Sequence, residues 1–207
     1  MTQNSEGVRS QNPSADACFE YGLKWPADLV GCDSRGHQDK TLTSVSVLSL
    51  EAGEQSVIVL RMNHEAIMKI ALEEAELAVR DGNAPFACVV TDREGNIVLQ
   101  EHDRVKENTD PTAHGEVNAI RVLCKKLNTL SLNDYIFYTT SEPCPTCMTC
   151  MIKAKVPMVY YGAKTETTAS LPIPAEEIAA KSKKYPVTVT GGILAEECLE
   201  QRNRLLS

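Results

Sequence analysis

Two short runs of this sequence hold residue types suited to binding and activating rather than packing: His114-Gly115-Glu116 and Pro143-Cys144-Pro145-Thr146-Cys147. Each directly follows a loop and opens a run with helical periodicity, so two helix starts are available to face one point. A helix N-terminus carries partial positive charge, which lowers a thiol's pKa and favours the thiolate that zinc requires. Two cysteines three apart at such a start can hold one ion, and His114 offers a third ligand. Three protein ligands leave one vertex of a tetrahedron to water, the pattern of a catalytic rather than a structural zinc site. Glu116, two residues after the histidine, is then placed to move protons. The bland alternatives are a structural zinc site or buried thiols. Cys150, one turn further along the same helix, is the rival fourth ligand, and its ligation would turn the chain into a non-catalytic zinc-stabilised binding module.

The totals exclude several classes. The chain has 207 residues, with 21 Lys plus Arg against 28 Asp plus Glu, a net charge of −7. That balance gives no general attraction to phosphate backbones or anionic membranes. No apolar run approaches the roughly 20 residues that span a bilayer, and MTQNSEGVRSQNPSADACFE lacks a signal peptide's pattern, so a cytoplasmic address is expected. Of eight cysteines, five are scattered (Cys18, Cys32, Cys88, Cys124, Cys198) and three bunch at 144, 147 and 150. Bunching points to metal rather than to a disulfide framework. His64, His102 and His37 have no partner motif, and surface or helix-start roles suffice for them.

The elements that must position these residues begin near Met62. Residues 1–61 read as a poorly defined N-terminal extension in which TLTSVSVLSL and QSVIVL form two short strands. Met62 is a candidate alternative start. NHEAIMKIALEEAELAVRDG is an amphipathic helix burying Ile67, Ile70, Ala71, Ala75, Ala78 and Val79. PFACVV and NIVLQE form a hairpin around DREG, and DRVKENTDPT is a polar connection. HGEVNAIRVLCKKL is a helix with Val117, Ile120, Leu123, Cys124 and Leu127 on its buried side. The strand YIFYTT, the helix in SEPCPTCMTCMIKA, the strand PMVYYGA, a Pro-rich connection, the strand YPVTVTGG and the helix ILAEECLEQRNRLL complete the chain. Strands alternating with helices argue for one sheet between helical layers.

An H-x-E element joined to P-C-x-x-C is the zinc deaminase signature. Residues 62–207 resemble the cytidine-deaminase-like superfamily, in the branch containing guanine deaminases, plant guanosine deaminase, yeast-type cytosine deaminase and bacterial tRNA adenosine deaminase. The resemblance rests on Asp110-Pro111-Thr112-Ala113-His114-Gly115-Glu116, on Ser141-Glu142-Pro143-Cys144-Pro145-Thr146-Cys147, and on the more degenerate Ala84-Pro85-Phe86-Ala87. It implies a three-layer α/β/α sandwich around a five-stranded mixed sheet, a Zn2+ cofactor on His114, Cys144 and Cys147, and Glu116 relaying protons while an exocyclic amine is replaced by a carbonyl. It also implies that the backbone around Ala113, Ser141 and Cys144 lines the substrate pocket with Phe86 beside the substrate ring, and that the protein is a homodimer. Where relatives carry an Asn eleven positions before the histidine, this chain has Asp103, an acceptor-only carboxylate in place of an amide. The resemblance weakens after Tyr161, where LPIPAEEIAAKSKKYP replaces the usual tail.

The substrate expected is a nucleobase, nucleoside or related heterocycle of guanine, guanosine or cytosine type. The alternative is adenosine in tRNA. Lys125-Lys126, Lys153 with Lys155, Lys181 with Lys183-Lys184, and Arg202 with Arg204 raise that question, but each reads more simply as a solvated helix face.

Overall fold

A computed structural model describes residues 45–46, 61–165 and 171–207. Val45–Ser46 (β1) pairs antiparallel with Arg61–Met62 (β2), and the rest of the first expected strand, TLTSVSVLSL, lies outside the described residues. The second, QSVIVL, lies outside the described residues.

Helix α1 runs His64–Arg80, with the Asn63 side chain accepting the Ala66 N–H at 3.1 Å and Asp81 closing its C-terminus. A side chain acceptor at this position satisfies one of the four donors a helix start leaves open. The hairpin follows: β3 (Ala87–Thr91) and β4 (Ile97–His102) pair antiparallel. In their turn, Asp92 Oδ1 accepts from the Glu94 and Asn96 amides, and Gly95 takes a positive φ of 90°. The polar connection contains a short helix α2 (Val105–Asn108) that periodicity did not reveal, because one turn is too brief to show it. Then come α3 (Gly115–Leu127), β5 (Ile136–Ser141), α4 (Pro145–Lys153) and β6 (Met158–Ala163). The Pro-rich connection holds a second helix absent from the sequence reading, α5 (Ala175–Lys181). Finally come β7 (Thr188–Thr190) and α6 (Ala195–Leu206).

The expected five-stranded mixed sheet is present, in the order β4-β3-β5-β6-β7. β3 is antiparallel to β5, whereas β5, β6 and β7 run parallel. Both faces are covered, which is why the central strands read as nearly continuous apolar runs rather than alternating ones. The period of two is visible in where the side chains go. Val89, Ile136 and Tyr138 pack on the α1 and α6 side with Ile67, Met68, Ala71 and Cys198. Cys88, Val90, Phe137 and Val159 pack on the other side with Leu123, Met148 and Met151 of α3 and α4. Three layers result.

Two helix faces differ from the periodic reading. In α3, Asn118 and Ala119 are buried while Leu127 is 40% exposed. In α1, Met68 and Glu74 take buried places, with Ile70 and Val79 only half-buried. Glu74 is there for a partner: its Oε1 lies 2.6 Å from Nδ1 of the buried His102, tying α1 to the end of β4. His64 is also partnered, with Nδ1 2.9 Å from the Tyr138 hydroxyl and its ring stacked 4.2 Å from Tyr160. No described helix is long and apolar enough to cross a membrane.

Gly162 in β6 shows how closely α6 sits on the sheet. A Cβ there would collide with Cys198 Sγ and come within 2.7 Å of the Thr140 carbonyl oxygen. Gly162→Ala is therefore expected to lower unfolding free energy by about 3 kcal/mol in a urea titration. Adding Cys198→Ala should restore only part of it, because the Thr140 carbonyl belongs to the backbone and cannot swing away.

Candidate active site

All the chemistry-bearing residues gather at one end of the sheet. β4, β5 and β6 deliver their C-terminal ends there and the antiparallel β3 its N-terminal end. Open α/β sheets place ligands at this end of their parallel strands.

Two helix starts meet above it. His114 is the N-cap of α3, preceded by a turn in which Asp110 Oδ1 accepts from both the amide (2.8 Å) and the hydroxyl (2.7 Å) of Thr112. Gly115 lets this start approach the sheet, since a Cβ would meet the Glu101 carbonyl at 3.3 Å and Cys88 at 3.4 Å. Cys144 is the N-cap of α4, with Pro145 in the first turn and the Cys144 sulfur accepting the Cys147 amide at 3.5 Å.

The three donor atoms have the spacing of a metal site. His114 Nδ1 is 3.7 Å from Cys144 Sγ and 3.4 Å from Cys147 Sγ, and the sulfurs are 3.5 Å apart. A tetrahedron with bonds of about 2.3 Å to sulfur and about 2.0 Å to nitrogen has edges of about 3.5 to 3.8 Å. The donor set thus fits zinc. Among the described residues this is the one group of such donors that could hold a metal. Cys150 is outside it, packed half-buried against the core beside α3 and α4. The fourth protein ligand that a closed structural site needs is therefore not found among the described residues.

The local electrostatics follow from the same contacts. Hydrogen bonding with Cys147, and then with His114, holds the Cys144 thiol down to about 4 despite burial. His114 is pushed up to about 9, first by its hydrogen bond with Cys144. Cys147 is raised by the neighbouring Cys144 sulfur and by burial. A metal requires neutral imidazole and thiolates, so its binding here would release protons. Glu116 points into the same space, with Oε2 3.4 Å from Cys147 Sγ, and burial raises its carboxyl above the usual range.

A cavity of about 460 Å³ opens in front of this group, within the range of small-molecule sites. His114, Glu116, Cys144 and Cys147 line it, together with Phe86, Asp103 and Ser141 from the expected set. Asp103 is 4% exposed, its amide donating to the Phe86 carbonyl (2.9 Å) and its Oδ1 accepting the Val105 amide at 3.3 Å. Among the described residues its other oxygen meets no donor. Ser141 Oγ accepts from Arg202 at 3.2 Å.

Thr112 and His114, on either side of Ala113, line the cavity, and Ala113 itself sits beneath them. It is fully buried and does not line the cavity. Its amide donates to Asp110, and its carbonyl accepts from the Arg104 amide and the Asn118 side chain. Asn118 Nδ2 also bonds the His102 carbonyl at 3.1 Å, so one amide joins the strand end before Asp103 to the residue before His114. Thr140, Glu142 and Thr165 line the cavity without having been singled out. Glu142 lies inside a quoted motif and Thr165 in none, so for Thr165 the sequence offered no signal.

The comparisons agree with this geometry. The family described as the cytidine and deoxycytidylate deaminase zinc-binding region matches residues 61–163. A tRNA-specific adenosine deaminase of Aquifex aeolicus (strain VF5) is 30% identical over 152 residues, covering 70% of this chain and 100% of that protein. A guanine deaminase of Bacillus subtilis (strain 168) is 40% identical over 104 residues, covering 50% and 66%. A solved structure from work on tRNA:A34 deaminases that act at the wobble position of transfer RNA superposes with a TM-score of 0.59 at 26% identity, covering 66% of this chain and 98% of that one. With both motifs folded onto one three-donor cluster at the mouth of a cavity, and with relatives named as deaminases, this chain belongs to the cytidine and deoxycytidylate deaminase zinc-binding family within the cytidine-deaminase-like superfamily.

Proposed function

We propose that this chain hydrolyses an exocyclic amino group on a small nitrogen heterocycle, a nucleobase, nucleoside or related ring, so that water and the C–NH2 bond give a ring carbonyl and ammonia. The observation that carries the reading is the meeting of His114, Cys144, Cys147 and the Glu116 carboxylate in one cavity of about 460 Å³. Zinc bound by the three donors would supply Lewis-acid activation of the attacking water. Glu116 takes a proton from that water and hands it to a ring nitrogen, then takes the remaining hydroxyl proton and passes it to the departing amine, so that a ring carbonyl and ammonia are left. Its raised pKa suits a group that must hold a proton between these transfers. Phe86 lies beside the ring, and Asp103 and Ser141 hold its polar edge.

Asp103 narrows the substrate. An ionised carboxylate only accepts hydrogen bonds, so it suits a ring edge presenting N–H groups and opposes one presenting a carbonyl, as guanine would. A second reading, adenosine deamination in tRNA, is favoured by the Aquifex relative. Against it stand the acidic chain and the internal engagement of the candidate cations. Arg202 bonds Ser141 and the Lys164 carbonyl, Arg204 bonds Glu76, and Lys181 pairs with Glu177. The proposal includes residues 62–207 as the deaminase unit, supported by their holding all five strands of the main sheet, and a homodimer as the assembly.

Ammonia release from a panel of aminated purines, pyrimidines, their nucleosides and aminotriazines tests the activity. Glu116→Gln is expected to lower kcat by about 10³-fold or more while zinc measured by atomic absorption stays near one per chain. Retained turnover in this variant would reject the proton relay. Cys150→Ser should keep both zinc and activity, whereas His114→Ala and Cys144→Ser should lose zinc. Asp103→Asn is expected to raise guanine turnover relative to the best wild-type substrate. Guanine turnover that survives Asp103→Ala but falls with Asn would contradict the specificity argument. Activity confined to a tRNA stem-loop, with a steep salt dependence, would favour the second reading.

A further inference from the structure

Glu142 is the residue of the Ser141–Cys147 motif to which the chemistry above assigns nothing, yet it is bonded more fully than its neighbours. Its amide donates to the Ala163 carbonyl at 2.8 Å, at the end of β6. Its carbonyl accepts the Thr165 hydroxyl at 3.3 Å. Its carboxylate is shared between two distant amides: Oε2 accepts from Thr165 at 3.2 Å and Oε1 from Ala175 at 2.9 Å. Thr165 follows β6, and Ala175 is the first residue of α5, in the part of the chain that departs from the family's usual tail. One side chain thus ties both to the loop that carries Cys144 two residues later.

The tie has a geometric consequence. Beside the main cavity lies a second one of about 240 Å³, and Glu142, Cys144 and Thr165 line both. Its remaining wall includes Pro172, Ile173 and Pro174, just before α5, but neither His114 nor Glu116. Residues 172–174 therefore line the smaller cavity, which adjoins the main one at Glu142, Cys144 and Thr165, and not the cavity that holds the proton relay. The prolines of this wall have no N–H with which to anchor themselves. The start of α5 is held instead by the Ala175 amide on Glu142 and, one residue on, by the Tyr161 hydroxyl on Glu176.

We propose that Glu142 is a positioning residue that sets the distance between the Cys144 corner of the site and the wall formed by Thr165 and residues 172–175, and through that wall the affinity for substrate. This rests on the deaminase reading. A carboxylate is the group for the task because it presents two acceptor oxygens and no donor, so both amides are bonded at once. Glutamine keeps one acceptor and turns an NH2 towards the other amide. Contacts made by a remote wall hold ground state and transition state alike, so their loss appears in KM rather than in kcat.

The test uses the full chain and the panel compound that the wild type turns over fastest. Glu142→Ala is expected to raise KM about tenfold with kcat within about twofold, and Glu142→Gln to fall between that variant and the wild type. Zinc should stay near one per chain in both. Hydrogen exchange, which needs no substrate, should be faster at the Thr165 and Ala175 amides in both variants. Tyr161→Phe is the comparison: it removes the 2.6 Å hydrogen bond from the Tyr161 hydroxyl to Glu176 of α5 while leaving both Glu142 bonds, and KM should rise clearly less than in Glu142→Ala. An unchanged KM in both Glu142 variants would overturn the proposal, as would zinc loss that accounts for the defect or a Tyr161→Phe defect of the same size. A wild type inactive on the whole panel would instead defeat the deaminase reading, and the exchange rates would still decide whether Glu142 holds the wall.

Discussion

The structure depends on bringing two helix N-termini to within a few ångströms of each other over the end of one sheet. Like-signed helix ends repel, and each leaves backbone amides without partners. The sequence answers with sulfur. Cys144 as the α4 N-cap takes one amide, and its hydrogen bonds with Cys147, and then with His114, hold its thiol well below the usual range. The same atom that settles the helix end belongs to the donor group that could hold a metal, so the local stability of α4 and the chemistry proposed for the site share one group. The remainder of the fold presses the two ends together. α3 and α4 pack against the same face of β3, β5 and β6 through Leu123, Met148 and Met151.

That pressing is visible in where the structure tolerates no side chain and where it buries polar ones. Gly115 lies against the Glu101 carbonyl and Cys88, which keeps the helix start low on the sheet. Asn118, one turn on, satisfies two carbonyls from separate loops. His102 and Glu74 hold the end of β4 from the opposite layer. Buried polar groups cost stability unless partnered: Asn118 bonds the backbone carbonyls beside Asp103 and His114, and Glu74 bonds the His102 ring. Polar burial in this protein is concentrated where the position of a loop, rather than the volume of a core, has to be set.

The sequence was legible where one physical period or one motif dominated. The five main strands appear where their apolar runs lie, and α1, α3, α4 and α6 follow from helical periodicity and their caps. His114, Cys144 and Cys147 come together as their types and spacing implied. The helices α2 and α5 were not legible because both are short and sit among turn-forming residues. The α3 face was displaced because Leu127 and Asn118 exchange the places hydrophobicity would give them: Asn118 is buried by two carbonyls that only the tertiary fold supplies. Ala113 shows a similar limit. Its neighbours in sequence line the cavity, but its own amide and carbonyl are already bonded within the protein.

Specificity is the part of the site that motif reading reaches least, and the structure explains why. The metal corner is local: three donors from two helix starts, encoded within two short runs. The walls are assembled from Phe86 before β3, Asp103 after β4, Thr165 after β6 and the stretch before α5, four places spread over about ninety residues. No single spacing relates them, so no pattern in the chain announces them. What relates them is a few hydrogen bonds to backbone: Asp103 to Phe86, Asn118 to the carbonyls beside Asp103 and His114, and Glu142 to Thr165 and Ala175. A chain can therefore keep the reaction while changing its substrate, provided those bonds survive. On the proposed deaminase reading, the carboxylate at 103 and the stretch after Tyr161 would be changes of that kind, altering the cavity's chemistry at its far side and leaving the donor set intact.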